Sequence, residues 1–469
     1  MSHPFKRISP EDLEYFRKVL GQNFVHSDEE SIQKYAKDET EDLHFPPEVV
    51  LKPRTTDEVS LVLAYCNSQR IPVTARGAGT GLSGGALAIH GGVILSMERF
   101  NSILDIDERN LQATVEPGVI NQVFQDAVKS RKLFYPPDPA SYGSCFLGGN
   151  IAHCSGGPKA VKYGVTRDYV LNLEVVFANG EIAWTGANVL KNSTGYNLTQ
   201  LMIGSEGTLG VVTKIVFKLL PLPQHSIVLL VPFFSAESAC AAVSEVFKAG
   251  IVPSGMEFME RDAIDWVLKF IDKAPIEIKE NHHAHLLIEL DGNNMEVLMN
   301  DAERIGEILQ QFDCDEILFA ESEQQKQNLW MMRRKVAESV KANSIYKEED
   351  TVVPRAELPK LLKGVKEIGD KYGFKSVCYG HAGDGNLHVN IIKGDMNEYD
   401  WNNKLTLGIR EIFQLCVALG GTISGEHGIG LVQKKYMDIA LSATRLNFQR
   451  GIKNLFDPNG ILNPGKIID

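Results

Sequence analysis

Three glycine-rich runs in the first half of the chain restrict its fold more than any other feature. They cover residues 77–92, 143–164 and 195–210, and short β-branched segments alternate with them. A run of residues without Cβ atoms lets backbone N–H groups converge on an anion such as a phosphate. We therefore predict short strands joined by irregular loops, with strands at 93–95, 113–115, 173–176 and 211–220.

The second half has longer apolar patterns and fewer glycine-rich turns. Apolar residues at helical spacing predict helices, and short apolar runs predict strands. A length of 469 residues predicts two to four domains. Helices mixed with strands in this way predict an α+β fold class. The predicted helices are 236–249, 296–312 and 324–343, and the predicted strands are 227–231 and 285–290.

Composition and charge argue against several classes of function. The net charge is −12 and the chain has no run rich in Lys and Arg, so it is a poor candidate for binding nucleic acid. The seven cysteines are widely spaced and form no CxxC pair, which favours a reducing compartment and argues against a zinc–thiolate cluster. The longest apolar run, 227–234, is far shorter than the ~20 residues of a membrane span. We expect a cytoplasmic protein, or one bound peripherally to a membrane.

Three short motifs match known sites without the context that those sites need. Residues 79–84 fit GxGxxG and residues 81–85 fit GxSxG, but both motifs must open directly into a helix. Further glycines follow too closely for a long helix to form, so neither reading is favoured. Residues 460–466 nearly complete a Walker A loop, but Ile467 stands where Ser or Thr is required, and the P-loop is rejected.

Two segments near the C-terminal end place histidine and carboxylate side chains among glycines. They are residues 380–390 and 425–430. Two imidazoles and one carboxylate would hold a metal and leave one coordination position open, as in a catalytic site. The candidate ligands are His381, His388 and Glu426, and His427 is the candidate base.

Asn390 joins this constellation through strand periodicity. The alternation over Asn386–Ile392 puts His388 and Asn390 on the same face of a strand, and His381 can fold back towards them across the intervening turn. The alternatives are a buried structural histidine and a glycine-rich turn carrying surface charges.

Arg333 is the candidate anion-binding residue. It falls on the apolar stripe of the predicted helix 324–343, and an arginine on a buried face needs an anion. That anion is either a structural carboxylate or a substrate carboxylate held by two parallel hydrogen bonds. The histidines of 281–285 are interpreted as a solvated approach to a strand rather than as a metal cluster.

At these residues the chain resembles the FAD-dependent D-2-hydroxyacid dehydrogenases of the vanillyl-alcohol oxidase superfamily, a group that includes D-lactate dehydrogenase, the flavin subunit of glycolate oxidase and D-2-hydroxyglutarate dehydrogenase. Residues 76–85 are similar to the family's pyrophosphate loop and 135–157 to the stretch beside the flavin ring. Residues 192–212 are similar to the adenosine side, and 463–466 to a C-terminal return to the flavin. The implied cofactor-binding residues are Arg76, Gly77, Ala78, Gly79, Thr80, Gly81, Ser83, Gly84, Pro137, Ser144, Gly148, Gly149, Asn150, Ala152, Ser155, Gly210, Val212 and Asn463.

The resemblance also implies the domain organisation. It predicts a two-subdomain FAD-binding domain of the vanillyl-alcohol oxidase type followed by an α+β substrate-binding cap domain. Pro221 and Pro223 mark the first boundary. The predicted division is an N-terminal helical segment at 1–44, the FAD-binding domain at 45–223, the substrate and metal cap at 224–440, and a return to the FAD domain at 441–469.

The resemblance assigns roles that agree with those inferred from the residues. His381, His388 and Glu426 would bind the metal, Asn390 and His427 would contact the substrate, and Arg333 would clamp its carboxylate. No histidine stands between residues 76 and 85, so FAD is expected to be non-covalent.

Two departures from the family pattern bear on the substrate. In the 2-hydroxyglutarate enzymes a threonine one helical turn after the arginine, and a later lysine, help to hold the substrate. Here Ala337 replaces the threonine, and Lys347 is offset by one position from the lysine. A substrate with one carboxylate, such as D-lactate or glycolate, is therefore expected.

The predicted reaction is oxidation of a D-2-hydroxy acid, with D-lactate first, to the 2-keto acid by hydride transfer to FAD. Zinc is the first choice of metal, with manganese or iron as alternatives. The electron acceptor is expected to be a quinone, a cytochrome or an electron-transfer flavoprotein, and a homodimer or partner subunits are compatible with the sequence. The rival functions are a D-2-hydroxyglutarate or glycolate dehydrogenase, an electron-relaying flavoprotein subunit and, more remotely, a metallohydrolase.

Overall fold

The computed structural model describes residues 5–271, 276–320 and 322–468. The chain forms two compact units. The first unit comprises Met1–Gly156, Val165–Leu222 and Glu426–Asp469, and the second comprises Gly157–Gly164 and Pro223–Gly425. The structure therefore groups residues 426–440 with the first unit, whereas the sequence division placed them in the cap domain. The N-terminal segment belongs to the first unit as well.

The first unit begins with a helix whose start is encoded locally. Ser9 caps the helix Pro10–Leu20, accepting a hydrogen bond from the backbone N–H of Asp12, while the Asp12 side chain accepts one from the backbone N–H of Ser9. Phe16 and Leu20 on its inner face pack into a core of valine, leucine and isoleucine side chains. The remaining helices of this unit are Glu29–Tyr35, Thr56–Gln69, Asn121–Lys129, Leu147–His153, Leu198–Met202, Met437–Ala440 and Ala443–Phe456.

Two main sheets organise the first unit. A mixed sheet packs on the core of the N-terminal helix, and its strand order is Val25–His26, Val49–Leu51, Val93–Ser96 and Val73–Arg76. An antiparallel sheet has the order Ile103–Asp107, Gln112–Val115, Val211–Lys218, Val170–Val176 and Ile182–Trp184. A short pair joins Leu133–Phe134 to Leu220–Pro221. The chain between residues 77 and 92 forms no helix, as the glycine density predicted.

The second unit is built on one antiparallel sheet with helices packed against it. Its strand order is Leu318–Ala320, His225–Phe233, Ala284–Gly292, Gly255–Glu260, Lys375–His381, Asn386–Ile392 and Tyr346–Val352. The helices are Ala160–Tyr163, Ala236–Lys248, Arg261–Phe270, Met295–Leu309, Glu323–Asn343, Leu358–Tyr372 and Leu405–Ala418. The predicted strand over Asn386–Ile392 is confirmed, and the three predicted helices agree with the observed ones to within a few residues.

The interpretation of residues 281–285 as solvated is wrong. His282 and His285 are buried, and His285 is part of the strand Ala284–Gly292. His282 contacts Asp315 through Nε2 at 2.9 Å, whereas neither ring nitrogen of His285 has a hydrogen-bond partner among the described residues. Burial lowers the pKa of His285 to about 3, so this imidazole is neutral near pH 7.

No helix in the described part of the chain is long and apolar enough to cross a bilayer.

Candidate active site

A cavity in the first unit is walled by the glycine-rich segments. Residues 75–82, 148–153 and 205–212 contribute most of its lining, with Glu426 and His427 at the same cavity. Small side chains there leave backbone groups accessible. The predicted cofactor-binding residues that line it are Arg76, Gly77, Ala78, Gly79, Thr80, Gly81, Gly148, Gly149, Asn150, Ala152, Ser155, Gly210 and Val212.

Arg76, which precedes the first glycine loop, is bound by the segment around the end of the helix Glu29–Tyr35. Its guanidinium donates to the carbonyl oxygens of Lys37 at 2.7 Å and Tyr35 at 3.3 Å, and burial lowers its pKa. Gly79 has a φ of +79°, and a Cβ there would lie 2.2 Å from Nη2 of Arg76. The positive φ favours glycine at this position, and a side chain there would have to displace the guanidinium of Arg76.

The helix Leu147–His153 presents features that suit a large polar ligand. A Cβ on Gly149 would meet nothing within 4 Å, so the cavity approaches the backbone closely there. Nδ2 of Asn150 is buried and makes no hydrogen bond within the described chain. A buried donor of this kind calls for an acceptor, and together with the glycine loops it fits the predicted FAD.

Five predicted cofactor-binding residues do not line this cavity: Ser83, Gly84, Pro137, Ser144 and Asn463. Several of them carry structural hydrogen bonds instead. The carbonyl of Pro137 accepts from Asn121 Nδ2 at 3.1 Å, and Nδ2 of Asn463 donates to the carbonyls of Gly85 and Glu206 at 2.8 Å each.

Glu206 is a residue whose role the sequence did not reveal. Its carboxylate accepts the backbone N–H groups of Ile429 and Gly430, both at 2.7 Å. Next to it, Nδ1 of His153 lies 2.9 Å from the carbonyl oxygen of His427. Two side chains of the cavity wall thus hold the loop that carries Glu426 and His427. The sequence feature that could have indicated this role is a glutamate placed between Gly204 and Gly207.

In the second unit, strand register gathers predicted residues on one face of the sheet. Tyr379 pairs with His388, and Glu348 pairs with Asn390. Directly paired residues share a face, and alternate residues along a strand return to it. His381, His388 and Asn390 therefore lie on one face, which was predicted for His388 and Asn390. The ring centroids of His381 and His388 are 5.4 Å apart.

Glu257 connects Arg333 to this face. Its carboxylate lies 2.8 Å from Nε of Arg333, and it accepts from Nδ1 of His381 at 2.8 Å. Burial opposes ionisation of Glu257, yet the adjacent charges of His381 and Arg333 hold its pKa below the ordinary value. The sequence left the anion of Arg333 open, and the structure supplies a carboxylate more than 70 residues away in the chain. Nδ1 of His381 is thereby occupied, which directs Nε2 away from Glu257.

The same face carries further polar and aromatic groups. Glu348 Oε1 lies 3.3 Å from Nδ1 of His388, and the guanidinium of Arg333 lies 4.8 Å from the ring centroid of Tyr379. The Asn390 side chain is fully buried, and neither of its polar atoms makes a hydrogen bond of normal geometry within the described residues. A buried amide in this state suits a polar ligand.

Glu426 and His427 belong to the first unit, directly after the last residue of the second. The preceding Ser424 and Gly425 are anchored in the second unit, where Oδ2 of Asp350 accepts from Ser424 Oγ at 2.9 Å and from the Gly425 N–H at 2.8 Å. Arg333, His381, His388 and Asn390 are thus brought together in one unit, and Glu426 and His427 lie in the other.

Comparison with known proteins identifies the family. Residues 47–186 match the family described as FAD binding domain, and residues 222–467 match FAD linked oxidases, C-terminal domain. The second match covers more than half of the chain. The chain belongs to the FAD-linked oxidase family. This membership is incompatible with the metallohydrolase alternative.

Relatives of the chain are named as enzymes of 2-hydroxy acids. The chain is 40% identical to the glycolate oxidase subunit GlcD of Bacillus subtilis, covering 92% of this chain and 91% of that protein. It is 37% identical to D-lactate dehydrogenase of Anaerostipes hadrus over 99% and 98% of the two chains. It is 32% identical to D-2-hydroxyglutarate dehydrogenase of Stutzerimonas stutzeri over 98% and 99%. The protein is therefore a flavoenzyme of this type.

Solved structures confirm the predicted fold. p-Cresol methylhydroxylase with substrate bound aligns with a TM-score of 0.79 at 18% identity, covering 97% of this chain and 96% of that one. The fold is thus that of the vanillyl-alcohol oxidase type.

Proposed function

We propose that this protein oxidises a D-2-hydroxy acid, with D-lactate as the first candidate, to the 2-keto acid. The observation that carries the proposal is the buried face formed by Arg333, His381, His388 and Asn390 within the region matched by the FAD linked oxidases. The relatives named D-lactate dehydrogenase and glycolate oxidase subunit support this substrate class.

FAD is proposed to bind non-covalently in the cavity of the first unit. Residues 77–81 would hold its pyrophosphate through backbone N–H groups, and Asn150 would donate from Nδ2. When bound, FAD supplies the acceptor for the C2 hydride, which carries both electrons of the oxidation.

His381, His388 and Glu426 are the proposed ligands of one divalent metal. Two imidazoles and a carboxylate suit zinc, which is our first choice, and also manganese or iron. The contact between Glu257 and Nδ1 of His381 fits this role, because a histidine ligand commonly donates its other N–H to a carboxylate. When bound, the metal supplies Lewis acidity at the C2 hydroxyl.

The remaining side chains handle the proton and the substrate carboxylate. His427 is the proposed base that removes the proton of the C2 hydroxyl. Nε of Arg333 forms an ion pair with Glu257, and the terminal amino groups of Arg333 are proposed to hold the substrate carboxylate. Asn390 is proposed to contact the substrate through its amide.

We propose a substrate with a single carboxylate. Ala337 has no hydroxyl with which to bind a second one, and Lys347 contacts Trp401 rather than the residues of the buried face. D-2-hydroxyglutarate and glycolate are the alternative substrates. The electron acceptor is proposed to be a quinone, a cytochrome or an electron-transfer flavoprotein, and relatives named as subunits are compatible with partner subunits or a homodimer.

The test is an absorbance spectrum of the purified holoprotein under anaerobic conditions. D-lactate is expected to bleach the flavin band, and L-lactate, as the matched control, is expected to leave it unchanged. Bleaching by glycolate or D-2-hydroxyglutarate alone would select an alternative substrate. A flavin that no 2-hydroxy acid reduces would overturn the proposal and favour an electron-relaying subunit.

A further inference from the structure

Two adjacent residues of opposite charge lie on opposite faces of the second unit's sheet. In the edge strand Tyr346–Val352, Glu348 pairs with Asn390 and Lys347 pairs with Ile391. Because paired residues share a face, Glu348 lies on the face of Asn390, and Lys347 lies on the other. The register therefore puts an acid, and not the neighbouring lysine, beside the proposed substrate site.

The contacts of the two side chains agree with the register. Glu348 Oε1 lies 3.3 Å from Nδ1 of His388, and its side chain is 8% exposed. Nζ of Lys347 lies 4.9 Å from the ring centroid of Trp401 and donates to the Trp401 carbonyl at 3.4 Å. Lys347 is thus held away from His388 and Asn390.

The charges of the buried face suit one anionic group of a ligand. Arg333 offers its terminal amino groups, while Glu257 and Glu348 both place carboxylates on this face. Asp350, also on this face, already accepts hydrogen bonds from Asn386, Ser424 and Gly425. A second ligand carboxylate close to Glu348 would meet a like charge in a poorly solvated place, where repulsion is strong.

We infer that Glu348 is a specificity-determining residue that restricts the substrate to monocarboxylic D-2-hydroxy acids and rejects those with a second, distal carboxylate. The inference rests on the proposed function, since it takes the face of Arg333, His388 and Asn390 as the substrate site. Beyond the proposed function, it names Glu348 as the residue that restricts the substrate and charge repulsion as the physical cause.

The test separates charge from chain length with a pair of substrates. D-2-hydroxyglutarate and D-2-hydroxypentanoate have the same five-carbon chain, and only the first carries a second carboxylate. The measured quantity is the ratio of their kcat/KM values in the FAD- and metal-loaded enzyme. The variants are Glu348→Gln, which removes the charge and keeps an oxygen for His388, Glu348→Lys, which reverses it, and Lys347→Gln as the matched control on the other face.

We expect Glu348→Gln to raise the kcat/KM for 2-hydroxyglutarate relative to that for 2-hydroxypentanoate about tenfold, because one like-charge contact lowers kcat/KM by a factor on the order of ten. Glu348→Lys should raise this ratio further. Lys347→Gln should leave the ratio within about twofold, the range usual for a surface change. An unchanged ratio in both Glu348 variants would overturn the inference. Loss of bound metal and of all turnover in both variants would also overturn it, because the role of Glu348 would then be to position His388. Failure of every 2-hydroxy acid to reduce the wild-type flavin would instead overturn the proposed function.

Discussion

The cavity of the first unit and the polar face of the second unit are formed by different kinds of residue. The cavity of the first unit is lined largely by glycine and other small residues, which leave its backbone accessible. The face of the second unit is made of charged and aromatic side chains on adjacent strands, tied together by Glu257. Backbone donors suit a large ligand whose phosphates are always the same, whereas side chains can be exchanged one at a time to suit a small substrate. Cofactor binding and substrate choice should therefore respond to mutation separately.

The largest effect is expected from His427→Ala. If His427 is the base, the rate of flavin reduction by D-lactate should fall by about 10²–10⁴-fold, because general base catalysis is worth that much. FAD content should not change, since it is the carbonyl of His427, not its imidazole, that contacts His153. Anaerobic stopped-flow absorbance measures the rate. A variant that reduces its flavin at the wild-type rate would remove His427 from the reaction.

Glu257→Gln should affect the second unit without reaching the cofactor. If His381 is a metal ligand, loss of the charge that holds His381 and Arg333 should weaken metal binding about 10–100-fold, as is usual when the partner of a histidine ligand is removed. Metal content after dialysis against graded chelator measures this, and FAD content should be unchanged.

Glu260→Gln is the matched control for that experiment. Glu260 is also buried in the strand Gly255–Glu260, but it pairs with Lys366 at 2.8 Å. The Glu260→Gln variant should lower the free energy of unfolding and leave metal affinity unaltered. Equal loss of metal in the two variants would show that the effect arises from general destabilisation.

Glu206→Gln tests whether Glu206 positions the loop that carries His427 in the first unit. Glutamine keeps one acceptor oxygen but sets an NH₂ group against a backbone N–H of the loop at Ile429 and Gly430. We expect flavin reduction to slow about tenfold, the cost of one buried unsatisfied donor, while FAD stays bound. Glu174→Gln, at a buried carboxylate paired with Lys214 and Thr213, is the control and should leave the rate unchanged. If FAD is released instead, Glu206 belongs to cofactor binding and not to the positioning of His427.

The smallest effect concerns the acid sensitivity of the second unit. The pKa of His285 is about 3 in the folded chain and ordinarily 6.5, so the unfolded chain takes up the proton first as the pH falls. The stability that the neutral imidazole contributes is fully present above pH 6.5 and is lost towards pH 3, by up to about 1.4 kcal/mol per pH unit.

His285→Leu should therefore reduce the difference in urea midpoint between pH 7.5 and pH 5. His283→Leu, at an exposed neighbour, is the control and should not. An undiminished pH dependence in His285→Leu would mean that other groups govern acid unfolding.

The helices and strands could be predicted from local sequence patterns, whereas contacts between residues far apart in the chain could not. The alternation of Asn386–Ile392 is encoded within a few residues, and the strand was predicted correctly. Glu257 is 124 residues from His381, and its role depends on the register of a sheet that no local pattern specifies.

The burial of His282 and His285 was missed for the same reason. Polar residues near a strand end are usually solvated, and only the packing of neighbouring strands encloses these two. The lining of the cavity in the first unit could be read more fully from the sequence, because clusters of glycine indicate backbone that remains accessible.

The path of the chain between the units has a consequence for dissecting the protein. Gly157–Gly164 interrupts the first unit's sequence but belongs to the second, where Lys159 pairs with Glu289 at 2.8 Å and Lys162 with Asp291 at 2.6 Å. A polypeptide cut to 223–425 would lack this octapeptide and leave Glu289 and Asp291 without their lysines. The second unit is thus not encoded by one contiguous block, and exchanging it between relatives would require grafting two separate stretches of sequence.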